Sequence, residues 1–300
     1  MTTVAAQPRR SIMVPRPGSR ARGIRNTLGT ATIALSFLVA LVPLAFIIVY
    51  VVQRGAGVLS WSFLTDDIPI SDRLPGGGMG PAVYGTFLIT GGGALMAVPL
   101  GVLGGIYLNE YGGKRLLARV VRFLAEVMTG VPSVVMGLFI YVIWVLPTKE
   151  LSAFAGSLAL GCLMLPIVIR TTDEMLRLVP RELREGSYAL GSRKARTIRT
   201  VVLPNAAAGI VSGALLAIAR AAGETAPLLF TIGIVSETNN SWLHGPNTTL
   251  SQQIFRNAVS PFPFAQDRAW GAALTLILIV FIFTILARLV TAFFARRQAT

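Results

Sequence analysis

Charged side chains are scarce here: they make up 13% of the 300 residues, about half the usual share of a soluble domain. Acids are scarcer still, 13 against 27 lysines and arginines. One cysteine, Cys162, excludes a disulfide framework and any cysteine-built metal cluster, and one histidine, His244, excludes a histidine-rich site. No Gly-x-x-x-x-Gly-Lys-Ser/Thr segment occurs, because Gly112-Gly113-Lys114 is followed by Arg115 and lacks the upstream glycine. The chain is therefore not itself an ATPase. No carboxylate pair is spaced for general acid–base hydrolysis, and the expectation is of a non-enzyme without catalytic residues, bound metal or cofactor.

Apolar residues are abundant, at 53%, with a mean hydropathy of +0.67. Crossing a bilayer takes about 20 mostly apolar residues, and six stretches suffice: 27–52, 81–108, 121–147, 152–172, 207–237 and 269–294. The first exceeds a signal-peptide core in length and reads as an uncleaved helix. Small residues four apart, Gly101 with Gly105 and Gly209 with Gly213, let helix backbones approach closely. The expected fold is all-α, a polytopic bundle of six transmembrane helices.

The net charge of +14 follows from where the bases lie. Twenty fall in the N-terminal tail 1–26, the second and fourth connections and the C-terminal end, whereas the first, third and fifth connections hold only Arg54, Arg73, Lys149, Arg256 and Arg268. Basic residues stay on the cytoplasmic side of short loops, which predicts both termini inside. Nucleic-acid binding would need a basic face on a soluble module, and these bases are blocks between apolar runs. The outer loops 53–80 and 238–268, with Trp61, Trp242 and several prolines, suit partner docking or interfacial anchoring. Acceptor patterns at Asn239 and Asn247 are too short to carry weight.

A polar loop is expected over 173–205, too long for a simple turn. Pro180 opens a short helix, Gly191 suits its C-cap, and a second helix starts near Val201-Val202-Leu203-Pro204. Glu185-Gly186-Ser187, then Gly191, Val201 and Leu203-Pro204, resemble the coupling-loop signature of ABC importer permeases, with Gly186 and Ser187 in place of two alanines and Val201 in place of isoleucine. A solvated amphipathic loop is the plainer alternative. The flanking Ile169–Leu176 and Leu178-Val179-Pro180, together with Arg220–Leu229, are similar to phosphate importer permeases of the PstA type. The similarity covers most of 81–294 and leaves out the tail before Thr27. It implies the type I importer permease fold in a bacterial inner membrane, with 81–300 as the permease domain. It also implies a PstC-like partner permease, a PstB-like ATPase dimer carrying ATP and Mg, a PstS-like phosphate receptor, and seating of the coupling helix on the ATPase.

Arg170 and Arg220 fall in or beside predicted spans, where an arginine costs about 2.5–3.5 kcal/mol at the bilayer centre. A guanidinium fork matches two phosphate oxygens and stays charged, so these residues are candidates for the anion pathway, with Glu224 and Thr225 beside Arg220. Glu126 is a candidate charge partner for Arg170. Arg220–Glu224 and Arg170–Glu126 are also readable as purely structural pairs, and both readings hold if an anion displaces Glu224. Gly223 and Pro227 predict a helix break around Glu224, and Gly130-Val131-Pro132-Ser133 a bend in the third span. Competing classes are a permease for sulfate, molybdate or a small polar solute, and an ATP-independent transporter or channel.

Overall fold

The computed structural model describes the backbone of residues 19–113 and 115–298 and the side chains of 23–113 and 115–292. The N-terminal part of the basic tail, Lys114 and the side chains of Arg296 and Arg297 lie outside the described residues. Every regular element among those described is helical. The chain divides into two compact units, Met1–Tyr50 and Val51–Thr300.

The first unit contains helix α1, Ser19–Gly55, as far as Tyr50. Its hydroxyls fold back on their own helix: Thr27, Thr30, Thr32 and Ser36 each donate to the carbonyl four residues earlier at 2.9–3.0 Å. These hydroxyls are thereby satisfied within the helix, which carries many exposed apolar side chains, as lipid demands.

The second unit begins with the end of α1 and the short α2, Trp61–Thr65. Helix α3, Gly80–Ile106, runs into a π-helical turn, Tyr107–Gly112. Then come α4, Leu116–Gly130, and α5, Ser133–Ile140, which continues through another π turn into α6, Leu146–Thr148. Helix α7 is Ala153–Leu178, α8 is Arg181–Ala189 and α9 is Lys194–Thr197; the last passes through a π turn, Ile198–Val202, into α10, Leu203–Ala222. A 3-10 turn, Ala226–Phe230, precedes α11, Leu250–Ala258, and α12, Pro263–Gln298. Among the described residues five helices are long and apolar enough to span a membrane, six with the bent α4/α5 pair.

Glycines explain why α3 and α7 lie so close. A Cβ on Gly101 would stand 2.7 Å from the Cβ of Val168, and one on Gly105 would stand 2.5 Å from that of Thr172. A Cβ on Gly213 would meet Thr171 Oγ1 at 2.7 Å, so α10 packs on α7 through the same device. Ile89, Leu160, Met164, Val168, Ala217 and Leu228 fill the shared core.

The expected bend in the third span and the expected break after Ala222 are both present, while two expected ranges change. The third span is two helices at 108°, because Pro132 holds Val131 in the extended region and cannot donate to the preceding turn. The fifth span, expected over 207–237, is a helix over 194–222: α10 stops at Gly223, and Pro227 opens the 3-10 turn instead of extending it. The expected polar loop 173–205 contracts to the residues between Leu178 and Lys194, with α8 inside it. At the first end, Asp173 pairs with Arg177 one turn on within α7, which supports the helix there.

The expected outer loop 238–268 is largely folded into the unit. Asn247, Thr248, Thr249, Gln252, Gln253 and Asn257 are buried, and α11 packs against α12 and α3. Thr86 Oγ1 accepts from Leu250 N at 2.9 Å, and Ser251 Oγ donates to Glu224 O at 3.0 Å. Burial of Asn247 is incompatible with a modification acceptor there.

Candidate functional site

The break after Ala222 places Arg220 in the last helical turn of α10, where a cation favours the negative end of the helix dipole. Its side chain is 71% exposed, and Nε stands 3.9 Å from Glu224 Oε1. That distance is an ion pair without a hydrogen bond. Arg220 and Glu224 share a cavity of about 150 Å³ with Thr129, Ser133, Met164 and Ala217. Thr225, expected beside them, heads the 3-10 turn and does not reach this wall.

A second cavity of about 270 Å³ lies between α4 and α7 and shares Thr129 with the first. Arg122, Glu126, Arg170, Asp173, Glu174 and Arg177 line it. Arg170 has its hydrogen bond within α7, Nε donating to Glu174 Oε1 at 2.9 Å, while Glu126, the expected charge partner, faces it as a longer-range charge across the same cavity. The i,i+4 spacing puts Glu174 within reach on the same face, whereas Glu126 belongs to α4.

Asp173, 7% exposed, is the node that sequence reasoning missed. Its carboxylate accepts from Arg177 Nη2 at 2.6 Å and Asn109 Nδ2 at 3.2 Å, and Arg122 Nη2 is 3.6 Å away. A buried carboxylate needs such donors to remain charged. Three arginines and three acids therefore face one another across a small polar space.

The coupling loop has its own geometry. Gly191 has φ of +75°, its N–H donates to Tyr188 O at 2.9 Å, and Ser192 N donates to Ser187 O at 3.1 Å. This is a Schellman stop, which needs a left-handed residue and favours glycine. Glu185 and Gly186 lie exposed on α8, and Ser187 Oγ meets Thr197 Oγ1 at 2.8 Å. Leu203 packs into the cluster of Leu176, Val202 and Ala206, with Pro204 in the first turn of α10. Leu190 is 88% exposed, an apolar side chain presented outward.

Arg184 ties α8 down. Its Nε and Nη2 donate to Glu110 Oε1 at 3.2 and 3.0 Å, Nη1 to Val179 O at 2.6 Å, and Nη2 also to Leu176 O at 2.8 Å. No sequence signal announced the Glu110–Arg184 pair, since 74 residues separate its members.

Residues 97–300 match the family model described as binding-protein-dependent transport system inner membrane component. The phosphate transport system permease protein PstA 1 of Mycobacterium tuberculosis (strain CDC 1551 / Oshkosh) is 42% identical over 294 residues, covering 95% of each chain. PstA of Mycobacterium leprae (strain TN) is 44% identical over 271 residues, covering 89% of each. Among solved structures, an inward-facing MetNI methionine ABC transporter chain aligns with a TM-score of 0.55 at 18% identity, covering 72% of this chain and 94% of that one.

Proposed function

The chain belongs to the family of binding-protein-dependent transport system inner membrane components, and from that premise we propose that it is the phosphate-conducting permease of an ATP-driven importer. The observation that carries phosphate is likeness to PstA proteins over nearly the whole of both chains. Arg220 supports the reading chemically: at 3.9 Å from Glu224, its fork of donors keeps room for an anion's oxygens. Phosphate entering the Arg220 cavity displaces Glu224, passes Thr129 and leaves by the Arg170 cavity. There each arginine already has an acid, so the anion is held weakly enough to depart. Arg170, Arg220 and Glu224 form this pathway, with Thr225 shaping the break behind it and Glu126 tuning the charge of the exit.

Both termini face the cytoplasm, and α8 with Glu185, Gly186, Ser187 and Gly191 seats in a PstB-like ATPase dimer that carries ATP and Mg. Leu203 and Pro204 start the helix through which the movement enters the unit. A PstC-like permease completes the pathway, and a PstS-like receptor delivers phosphate outside.

The test is reconstitution of the four components in vesicles. ATP-dependent uptake of labelled phosphate, resistant to excess sulfate and molybdate, is expected. Uptake of another oxyanion in preference to phosphate, or uptake without ATP and the ATPase, would overturn it.

A further inference from the structure

The π-helical turn Tyr107–Gly112 gathers contacts from every element around it. Asn109 Nδ2 donates to Asp173 Oδ1 and Asp173 O of α7, both at 3.2 Å. Glu110 takes the guanidinium of Arg184 from α8, in a pair whose side chains are 6% and 15% exposed. The Glu110 carbonyl accepts from Lys194 Nζ of α9, and that ammonium lies 4.7 Å over the Tyr111 ring. Arg184 also holds the carbonyls of Leu176 and Val179. Two adjacent residues, Asn109 and Glu110, thus fasten α7, α8 and α9 to the end of α3.

Attachment of α4 differs. It follows Gly113, which has φ of +48°, and its first turn rests on the π turn, with Arg115 N donating to Gly112 O at 3.0 Å and buried Ala118 packed on Gly112; beyond that turn its polar link to this cluster is Arg122, 3.6 Å from Asp173. A π turn inside a long helix carries a stability cost and is frequent at functional sites. We propose that Asn109 and Glu110 are positioning residues forming a transmission hub, which makes α3, α7, α8 and α9 one rigid body that moves against α4. Displacement of α8 then changes the width of the cavity that α4 and α7 line, where Arg122, Arg170 and Asp173 face one another. The inference rests on α8 being the ATPase contact, and it assigns the receiver of that push.

Two measurements test it in the assembled transporter. In Glu110→Gln and Arg184→Lys, phosphate uptake per ATP hydrolysed falls about fivefold or more while hydrolysis stays within about twofold of wild type. A residue that merely stabilised the fold would lower both together, and an unchanged ratio in both variants overturns the hub. Loss of ATPase binding by both variants would make the pair a docking element and overturn it equally. The second measurement does not depend on the substrate: spin labels at Tyr111→Cys and Leu190→Cys, in a Cys162→Ala background, keep one separation with and without nucleotide. In the Glu110→Gln variant the separation changes. A separation that shifts with nucleotide while Glu110 is present sinks the rigid body, whereas a wild-type complex that moves no phosphate yet keeps it sinks only the substrate reading.

Discussion

Arginine carries the chemistry at the residue scale, and its partners decide how firmly each is held. Arg170 has a 2.9 Å hydrogen bond within its own helix, whereas Arg220 has an ion pair at 3.9 Å and no side-chain hydrogen bond among the described residues. Arg220 is accordingly the one free to change partners. Arg220→Gln should lower phosphate uptake on the order of tenfold or more, the worth of a hydrogen bond to a charged group, while assembly with the ATPase persists. Normal uptake by an assembled variant would remove Arg220 from the pathway. Packing is equally local: Gly105→Val would drive a side chain into Thr172 and should destabilise the unit by about 1–3 kcal/mol, seen as a lower unfolding temperature in detergent. Both arginines were legible from sequence as costly charges in apolar runs. The hydrogen-bond partner of Arg170, Glu174, was not, because α7 was expected to end at Thr172 and instead runs on to Leu178.

Element by element, the stops and turns follow from local chemistry. The Schellman stop at Gly191 needs a positive φ, so Gly191→Pro, whose ring fixes φ near −65°, cannot form it. The expected outcome is ATP hydrolysis released from transport, and Glu185→Lys, which reverses charge on the exposed face of α8, should act alike. Undiminished uptake with substrate-stimulated hydrolysis in both would refute the role of α8. A helix with a glycine stop was readable in advance because both signals are local. The 108° bend at Val131-Pro132 was signalled by proline, whereas its angle is set by what α5 packs on: a Cβ on Gly137 would stand 2.6 Å from Pro227 O. The re-entry of 238–268 had no local signal at all. Its buried amides and hydroxyls are polar in sequence and become acceptable inside only because they satisfy one another and Thr86.

For the whole molecule, the segregation of bases predicts opposite sides for α8 and the segment after α11. In a Cys162→Ala background, a membrane-impermeant maleimide applied to intact cells should label Val259→Cys, 74% exposed, and spare Leu190→Cys. The reverse pattern would invert the topology. Composition and hydropathy alone determined that lipid is the solvent and that the fold is helical, because these depend on totals and periods that need no partner. The tertiary structure alone decided that Glu110 meets Arg184, that Asn109 meets Asp173 and that two polar cavities share Thr129. Those pairings join residues 64 and 74 positions apart, and only the close packing of α3 on α7 brings them within a hydrogen bond's length.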